Sequence, residues 1–187
     1  MNSSKRTGQS KFWEQAAAKL RRTGGDPKEV SNPPGVLFFE NEYLWKNAVL
    51  EPIAGRREGT PLDWFFREFL KEPVDRVLSI GCGTGVFERE LVGKGYVRSI
   101  DAFDSSAASI EWAVSLAEEQ HLDMINYWVA DGNTVTLKKN EYDLIISMAA
   151  LHHIERLEHI FLEIRNSLKT NGLLFYDEYI GKNRMQW

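Results

Sequence analysis

Three glycines spaced two residues apart follow a short apolar run in the stretch VLSIGCGTGVF, residues 77–87. Gly81, Gly83 and Gly85 allow the backbone to turn with positive φ, and they leave no Cβ in the path of a ligand lying against the main chain. A helix that begins after such a turn adds its positive amino end to the same place. The stretch predicts a site for a nucleotide-like ligand, with an ordinary glycine turn between a strand and a helix as the alternative.

The spacing of the glycines discriminates between ligands. A dinucleotide site has the spacing G-x-G-x-x-G/A, in which the last small residue lets the helix seat a pyrophosphate, and Val86 occupies that position here. No Lys-Ser/Thr pair follows to make a phosphate loop. A nicotinamide-dependent reductase is therefore the disfavoured interpretation.

Acidic residues follow the next two apolar runs. Asp104 comes roughly 20 residues after Gly85, the distance at which an acid meets a ribose hydroxyl pair in such sites. Asp101 is its competitor but lies inside the predicted strand, and a helix cap formed by Asp104 or Ser105 is the structural alternative. Asp131 carries a carboxylate that can accept from an adenine amino group, with a plain Asp-Gly turn as its alternative.

The elements that must position these residues form an alternating pattern. The predicted strands are Val77–Ile80, Val97–Phe103, Ile125–Ala130, Tyr142–Ser147 and Leu173–Tyr176, and the helices between them are Val86–Lys94, Ser106–Gln120 and Leu157–Leu168. Strands that are apolar nearly throughout indicate a parallel sheet buried on both faces by helical crossovers. The predicted class is an α/β fold with an open parallel sheet, whose ligands bind beyond the carboxyl ends of the strands.

The amino-terminal part has a different pattern. Helices are predicted at Phe12–Arg22, at about Phe39–Leu50 and at Pro61–Lys71, the last beginning with a hydroxyl cap, a proline and an acid in Thr60-Pro61-Leu62-Asp63. We therefore expect an amino-terminal helical segment at residues 1–72 and a cofactor-binding core at residues 73–187.

Composition excludes several classes of function. The 187 residues carry a net charge of -4, so no field draws a polyanion and a nucleic-acid partner is not expected. Cys82 is the only cysteine, which excludes an internal disulfide. No apolar run approaches the roughly 20 residues that span a bilayer, and residues 1–11 lack the apolar segment of a signal peptide. These features predict a cytoplasmic protein without membrane contact.

The ordered set of strand ends resembles the class I S-adenosylmethionine-dependent methyltransferases over about residues 74–178. The matching stretches are VLSIGCGTG (77–85), FDSS (103–106), VADG (129–132), YDLIISMAALHHI (142–154) and LEIRNSLKTNGLLFYDE (162–178). The resemblance implies a Rossmann-like sheet, S-adenosyl-L-methionine as cofactor and S-adenosyl-L-homocysteine as product. The glycine turn would hold the methionine portion, Asp104 the ribose and Asp131 the adenine amino group. The expected cofactor-binding residues are Gly81, Cys82, Gly83, Gly85, Asp104, Ser105, Asp131, Gly132, Met148 and Ala149, with no metal.

Methyl transfer requires that the nucleophile, the methyl carbon and the sulfur be held in line. A base is needed only where the acceptor must lose a proton. The resemblance makes His153 a candidate base, with packing as its alternative, and makes His152 structural. Glu178 and Tyr179 follow the fifth strand, where relatives meet the acceptor, with a solvated acid and a core tyrosine as the alternatives. Trp13 lies in the segment that forms a lid over the cofactor in many relatives.

The expected function is methyl transfer to oxygen or nitrogen of a small or medium-sized acceptor. Family members carry a further helix and two more strands after the fifth strand, and the residues after Tyr176 are too few to form them. We therefore expect either a fragment of a longer protein or a homodimer through the uncovered sheet edge. A cofactor-binding module without turnover is the alternative function.

Overall fold

The computed structural model describes residues 8–27, 45–55 and 59–178. The helices are α1 (Gly8–Thr23), α2 (Glu51–Ala54), α3 (Pro61–Phe69), α4 (Val86–Gly93), α5 (Ala107–Glu119) and α6 (Leu157–Ser167). The strands are β1 (Val74–Ile80), β2 (Val97–Asp104), β3 (Ile125–Val129), β4 (Tyr142–Met148) and β5 (Leu168–Asp177). A π-helical turn (Trp45–Leu50) precedes α2, and a 3-10 turn (Leu151–His153) follows β4.

The five strands form one parallel sheet in the order β3-β2-β1-β4-β5. The predicted α/β class with an open parallel sheet is therefore confirmed. The chain moves outward from β1 in one direction and returns to build the other half from β4, so the strand order reverses between β1 and β4. Ile80 pairs with both Phe103 and Ser147, which brings the carboxyl ends of β1, β2 and β4 level with one another.

Both faces of the sheet are buried, which is why the strands are apolar along nearly their whole length. On one face Val77, Ile100 and Ile146 share a cluster with Leu62 and Phe66 of α3. On the other face the cluster consists of side chains from the strands, the loop after β3 and the region after β4, among them Leu78, Ile80, Ile145, Ile160 and Ile164. Helix α3 thus contributes to the same core as the strands.

The helix start predicted at Thr60 is confirmed as a complete capping box. Thr60 Oγ1 accepts from the Asp63 amide at 3.1 Å, and Asp63 Oδ2 accepts from the Thr60 amide at 2.9 Å. The helix ends at Phe69, two residues earlier than predicted, because Leu70 turns to an extended conformation. Phe69 was expected on the buried face, but it is 59% exposed.

The other element boundaries depart only locally from the prediction. β5 begins at Leu168, where it pairs with Tyr142 before a register shift, rather than at Leu173. Residues 134–140, whose conformation the sequence left open, contain turns and no helix. Of the helix predicted at 39–50, residues 39–44 lie outside the described residues. Among the described helices, none has both the length and the apolar character that crossing a membrane requires.

Candidate functional site

The turn between β1 and α4 has the backbone conformation that its glycines predict. Gly81, Gly83 and Gly85 have φ values of 71°, 54° and 72°. The amides of Gly81 and Cys82 both donate to the Phe103 carbonyl, at 2.9 and 3.1 Å, which ties the turn to the end of β2. The predicted left-handed backbone is therefore confirmed.

Two of these glycines are also required by neighbouring side chains. A Cβ at Gly81 would collide with the Ala150 side chain, and a Cβ at Gly85 would lie 2.7 Å from Cζ of Tyr127. The sequence interpretation assigned the missing Cβ atoms to ligand access. Packing against the loop after β4 and against β3 is a second reason for them.

Asp104 ends β2 and faces the glycine turn. Its Oδ2 accepts from the Gly83 amide at 2.9 Å, and its Oδ1 accepts from the Ser106 amide at 2.9 Å. Burial raises the pKa of Asp104, and these backbone donors oppose that rise. The cap of α5 is Ser106, whose hydroxyl accepts from the Ser109 amide, and so neither Asp104 nor Ser105 takes the side-chain cap role considered as the alternative.

Asp101 lies inside β2, as expected, and its oxygens are engaged by three side chains. Arg76 Nη2 donates to it at 2.7 Å, Asn126 Nδ2 at 3.0 Å and the Tyr142 hydroxyl at 3.0 Å. This network joins β1, β2, β3 and β4. The oxygens of Asp101 therefore hold the strands together, and Asp104 is the better candidate for binding a ligand.

Asp131 follows β3 beside Asp104, because the Ala130 amide donates to the Asp104 carbonyl at 3.0 Å. The Asp131 Oδ1 accepts from both the backbone amide and the side-chain amide of Asn133, each at 2.8 Å. A Cβ at Gly132 would lie 2.5 Å from Cδ1 of Ile154. The Asp-Gly pair thus forms the turn named as its alternative, and the adenine contact stays a prediction.

The loop after β4 is held by Glu178, which follows β5. Glu178 Oε1 accepts from the amides of Ala150 and Leu151 at 2.7 and 2.6 Å, and His152 Nδ1 donates to Oε2 at 2.7 Å. Ala149, next in line after Met148, has φ 51° and donates its amide to the Asp177 carbonyl. Glu178 was expected to meet the acceptor, and its oxygens instead bind this loop.

His153 lies at the end of the same loop, under helix α1. Its ring centroid is 5.9 Å from that of Trp13 and 3.9 Å from that of His152. Its Nδ1 is buried and has no hydrogen-bond partner among the described residues. Burial, followed by the neighbouring His152, lowers the pKa of His153, so the neutral form that a base requires is favoured. Tyr179, the third catalytic candidate, lies outside the described residues.

Two further acids near the carboxyl ends of the strands were not predicted from the sequence. Glu14 of α1 accepts through Oε2 from the Ser106 hydroxyl at 2.9 Å and from the Ala108 amide at 3.3 Å. Glu88 of α4 is 1% exposed, accepts from the Ser79 hydroxyl and has no partner for Oε2 among the described residues. The sequence carries no signal for Glu14. Glu88, in contrast, lies three and four residues before Leu91 and Val92, so it falls on the apolar face of its helix, where an acid is unusual.

The residues expected to bind a cofactor thus lie near one another at the carboxyl ends of the strands. The bond from Gly83 to Asp104 joins the ends of β1 and β2, and the contact of Gly81 with Ala150 joins the ends of β1 and β4. Left-handed glycine backbone, a partly buried carboxylate and the orphaned Nδ1 of His153 lie around the point where the strand order reverses. This donor and acceptor set fits an adenosine that carries an amino acid, with bare main chain in place of a pyrophosphate pocket.

Comparison with known proteins agrees with this geometry. A family described as "Methyltransferase domain" matches residues 78–176. The ubiquinone biosynthesis O-methyltransferase of Rickettsia canadensis (strain McKiel) is 30% identical over 98 residues, which are 52% of this chain and 39% of that protein. Its counterpart from Coxiella burnetii (strain Dugway 5J108-111) is 30% identical over 100 residues, 54% of this chain and 42% of that protein. The chain therefore spans about two fifths of these curated relatives.

Solved structures show the same fold. A crystal structure of an S-adenosylmethionine-dependent methyltransferase from Mesorhizobium loti aligns with a TM-score of 0.53 at 26% identity, covering 61% of this chain and 52% of that one. A protein of Methanococcus maripaludis, provisionally assigned to the same activity, aligns with a TM-score of 0.62 at 22% identity over 95% of this chain and 67% of that one. The order of strands, the glycine turn and the matched region together show that the chain belongs to the class I S-adenosylmethionine-dependent methyltransferase family.

Proposed function

We propose that the protein binds S-adenosylmethionine and transfers its methyl group to an oxygen or nitrogen atom of a small or medium-sized acceptor. The observation that carries the proposal is the bond between Gly83 and Asp104 beside the loop that ends in His153. Relatives that are named as O-methyltransferases favour oxygen as the acceptor atom. The match covers only about two fifths of those relatives, so their substrate does not define the acceptor here.

Each residue has a distinct part in this proposal. The glycine turn, whose backbone carries no Cβ at three positions, holds the methionine portion of the cofactor, and the Asp104 carboxylate holds the ribose, since a carboxylate accepts from the paired ribose hydroxyls. Asp131 and Gly132 lie at the adenine end, and Met148 and Ala149 lie where the reacting sulfur is expected. Cys82 and Ser105 complete the set of residues beside the cofactor. Holding the reactants in line supplies roughly 7–11 kcal/mol of the barrier reduction in well-oriented systems.

Bound S-adenosylmethionine supplies a methyl group on a positively charged sulfur, which leaves as a neutral thioether. His153 is the group that would take the proton of a hydroxyl acceptor, because its imidazole is held neutral by burial. We further propose that helix α1 of the segment 1–72 acts as a lid on the core 73–187, with Trp13 covering His153. The cytoplasmic location and the homodimer inferred from the sequence stay predictions.

Titration calorimetry with S-adenosylmethionine, S-adenosylhomocysteine and NAD tests the cofactor. We expect the two sulfur ligands to bind and NAD not to bind; binding of NAD alone would overturn the proposal. Turnover is then measured as S-adenosylhomocysteine formed on a panel of phenols, catechols and amines. Cofactor binding without turnover on any acceptor would favour the module without activity.

A further inference from the structure

The loop after β4 has a strained backbone conformation that contacts from outside the loop must stabilise. Ala149 has φ 51°, a left-handed conformation that residues other than glycine seldom adopt, and such strain persists only where the surroundings over-determine it. The Ala150 side chain fills the space beside Gly81, and the Ala150 carbonyl accepts from the His153 amide at 3.0 Å. The path of this loop therefore sets both the glycine turn and the candidate base.

The carboxylate of Glu178 stabilises the loop after β4 through hydrogen bonds. It receives three hydrogen bonds of 2.6–2.7 Å, two from the consecutive amides of Ala150 and Leu151 and one from His152. Its side chain is 6% exposed, against 40% for His152. Consecutive amides that converge on one carboxylate make charge-assisted bonds, which are shorter and stronger than neutral ones.

We propose that Glu178 is the positioning residue of this site, which holds residues 149–153 in their strained path and thereby places His153 under Trp13 and Ala150 against Gly81. Its oxygens face the loop, so it acts on the reaction through the loop and not by touching the acceptor. This inference rests on the proposed function for its effect on the cofactor. The hold on the loop itself is independent of any ligand.

Amide hydrogen exchange of the loop and calorimetry with S-adenosylhomocysteine test the proposal on the full chain. Glu178→Ala should speed exchange at Ala150 and Leu151 and weaken cofactor binding, each by at least about tenfold, since charged hydrogen bonds to two amides are lost. Glu178→Gln keeps an oxygen for both amides and should recover most of each effect. Asp177→Asn removes the neighbouring carboxylate without touching the loop amides and should behave as the wild type.

A second variant separates positioning from general loss of structure. Ala149→Gly accepts the left-handed backbone without strain, so adding it to Glu178→Ala should restore part of the cofactor affinity. If Glu178→Ala alone folds poorly, the same comparison is made between the double variant and Ala149→Gly alone.

Faster exchange in Glu178→Ala with unchanged cofactor affinity would overturn the positioning role. Unchanged exchange would overturn the hold on the loop. A wild-type chain that binds no sulfur ligand would overturn the proposed function instead, and faster exchange in Glu178→Ala would then still support the hold on the loop.

Discussion

Asp101 and Asp104 show at the residue scale how two acids on one strand acquire different tasks. Side chains three residues apart on a strand point to opposite faces. Asp101 meets Arg76, Asn126 and Tyr142, whose donors occupy its oxygens. Asp104 lies at the strand end, and among the described residues its side chain accepts only from backbone amides, so lone pairs remain for a ligand.

Replacing Asp104 by Ala should weaken binding of S-adenosylmethionine by about 1.5–3 kcal/mol, the usual loss for hydrogen bonds to a charged group. Asp101→Ala is the matched control, because it should lower the free energy of unfolding while cofactor affinity stays near that of the wild type. Calorimetry and urea unfolding of both variants separate the two roles. Equal affinity in Asp104→Ala and the wild type would contradict the assignment of the ribose contact.

Glu88 gives the folded protein a pH dependence. Burial raises the pKa of Glu88 from 4.5 to about 7, so the folded state keeps a proton that the unfolded chain releases. The stabilising contribution is complete below pH 4.5 and is lost as the pH rises through 7, a change of about 3 kcal/mol. Glu88→Gln stays neutral and should flatten this part of the stability curve.

Urea unfolding at about pH 4 and about pH 8 measures this difference, since the Glu88 pKa values of the unfolded state, 4.5, and of the folded state, about 7, both lie between them. Glu90→Gln on the same helix is the control, because Glu90 pairs with Lys94 at the surface. The control should keep the wild-type slope. A slope that is the same in Glu88→Gln and in the wild type would show that Glu88 is not the titrating group.

At the element scale, helix α1 crosses the edge of the sheet where the site lies. Trp13 contacts His153, Glu14 binds the first turn of α5, and Ala17 is fully buried against Trp112. In the segment that follows α1, the Pro27 carbonyl accepts from the Thr84 hydroxyl in the glycine turn at 3.1 Å. These contacts reach both sides of the reversal in strand order, which is the position that a lid requires.

An aromatic face near a sulfonium should distinguish the charged cofactor from its neutral product. Trp13→Ala should therefore weaken S-adenosylmethionine by about 0.5–2 kcal/mol more than it weakens S-adenosylhomocysteine. Gln15→Ala, an exposed position on the same helix, should affect neither ligand. Calorimetry with both ligands gives the difference, and equal losses for the two would assign Trp13 to packing alone.

At the scale of the whole molecule, the strand order decides where a ligand can bind and which strands have an unpaired side. β1 is central, and the strand order reverses between β1 and β4, which is the position where ligands bind in open parallel sheets. β5 is an edge strand of the described sheet. Its Leu173 and Tyr176 are 40% and 50% exposed.

We expect two copies of the chain to pair through the β5 edge, because an open edge with exposed apolar side chains favours strand addition. Sedimentation of the wild type at micromolar concentration should show a dimer, and Tyr176→Lys should shift it to a monomer. Gln120→Lys, at an exposed position directly after α5, controls for a general effect of added positive charge. A monomeric wild type would contradict the expectation.

Much of the fold and part of the site were predictable from the sequence. Apolar runs, glycine spacing and the Thr60-Asp63 box act over a few residues, so strand positions, the left-handed turn and the start of α3 follow directly from them. The contact of Glu178 with the loop after β4 was not predicted from the sequence. Its partners, Ala150 and Leu151, lie 28 and 27 residues away, and no local pattern connects them.

The sequence by itself determined that strands and helices alternate, that the backbone turns sharply at Gly81–Gly85 and that acids follow the next two strands. These properties depend on φ preferences and on burial, which neighbouring residues set. Only the tertiary structure decided which acid faces the turn, which one stabilises a loop and which one is buried without a full set of partners. Glu14 and Ser106, 92 residues apart, meet because helix packing brings them together, and hydrogen bonds form wherever folding places donor and acceptor within reach.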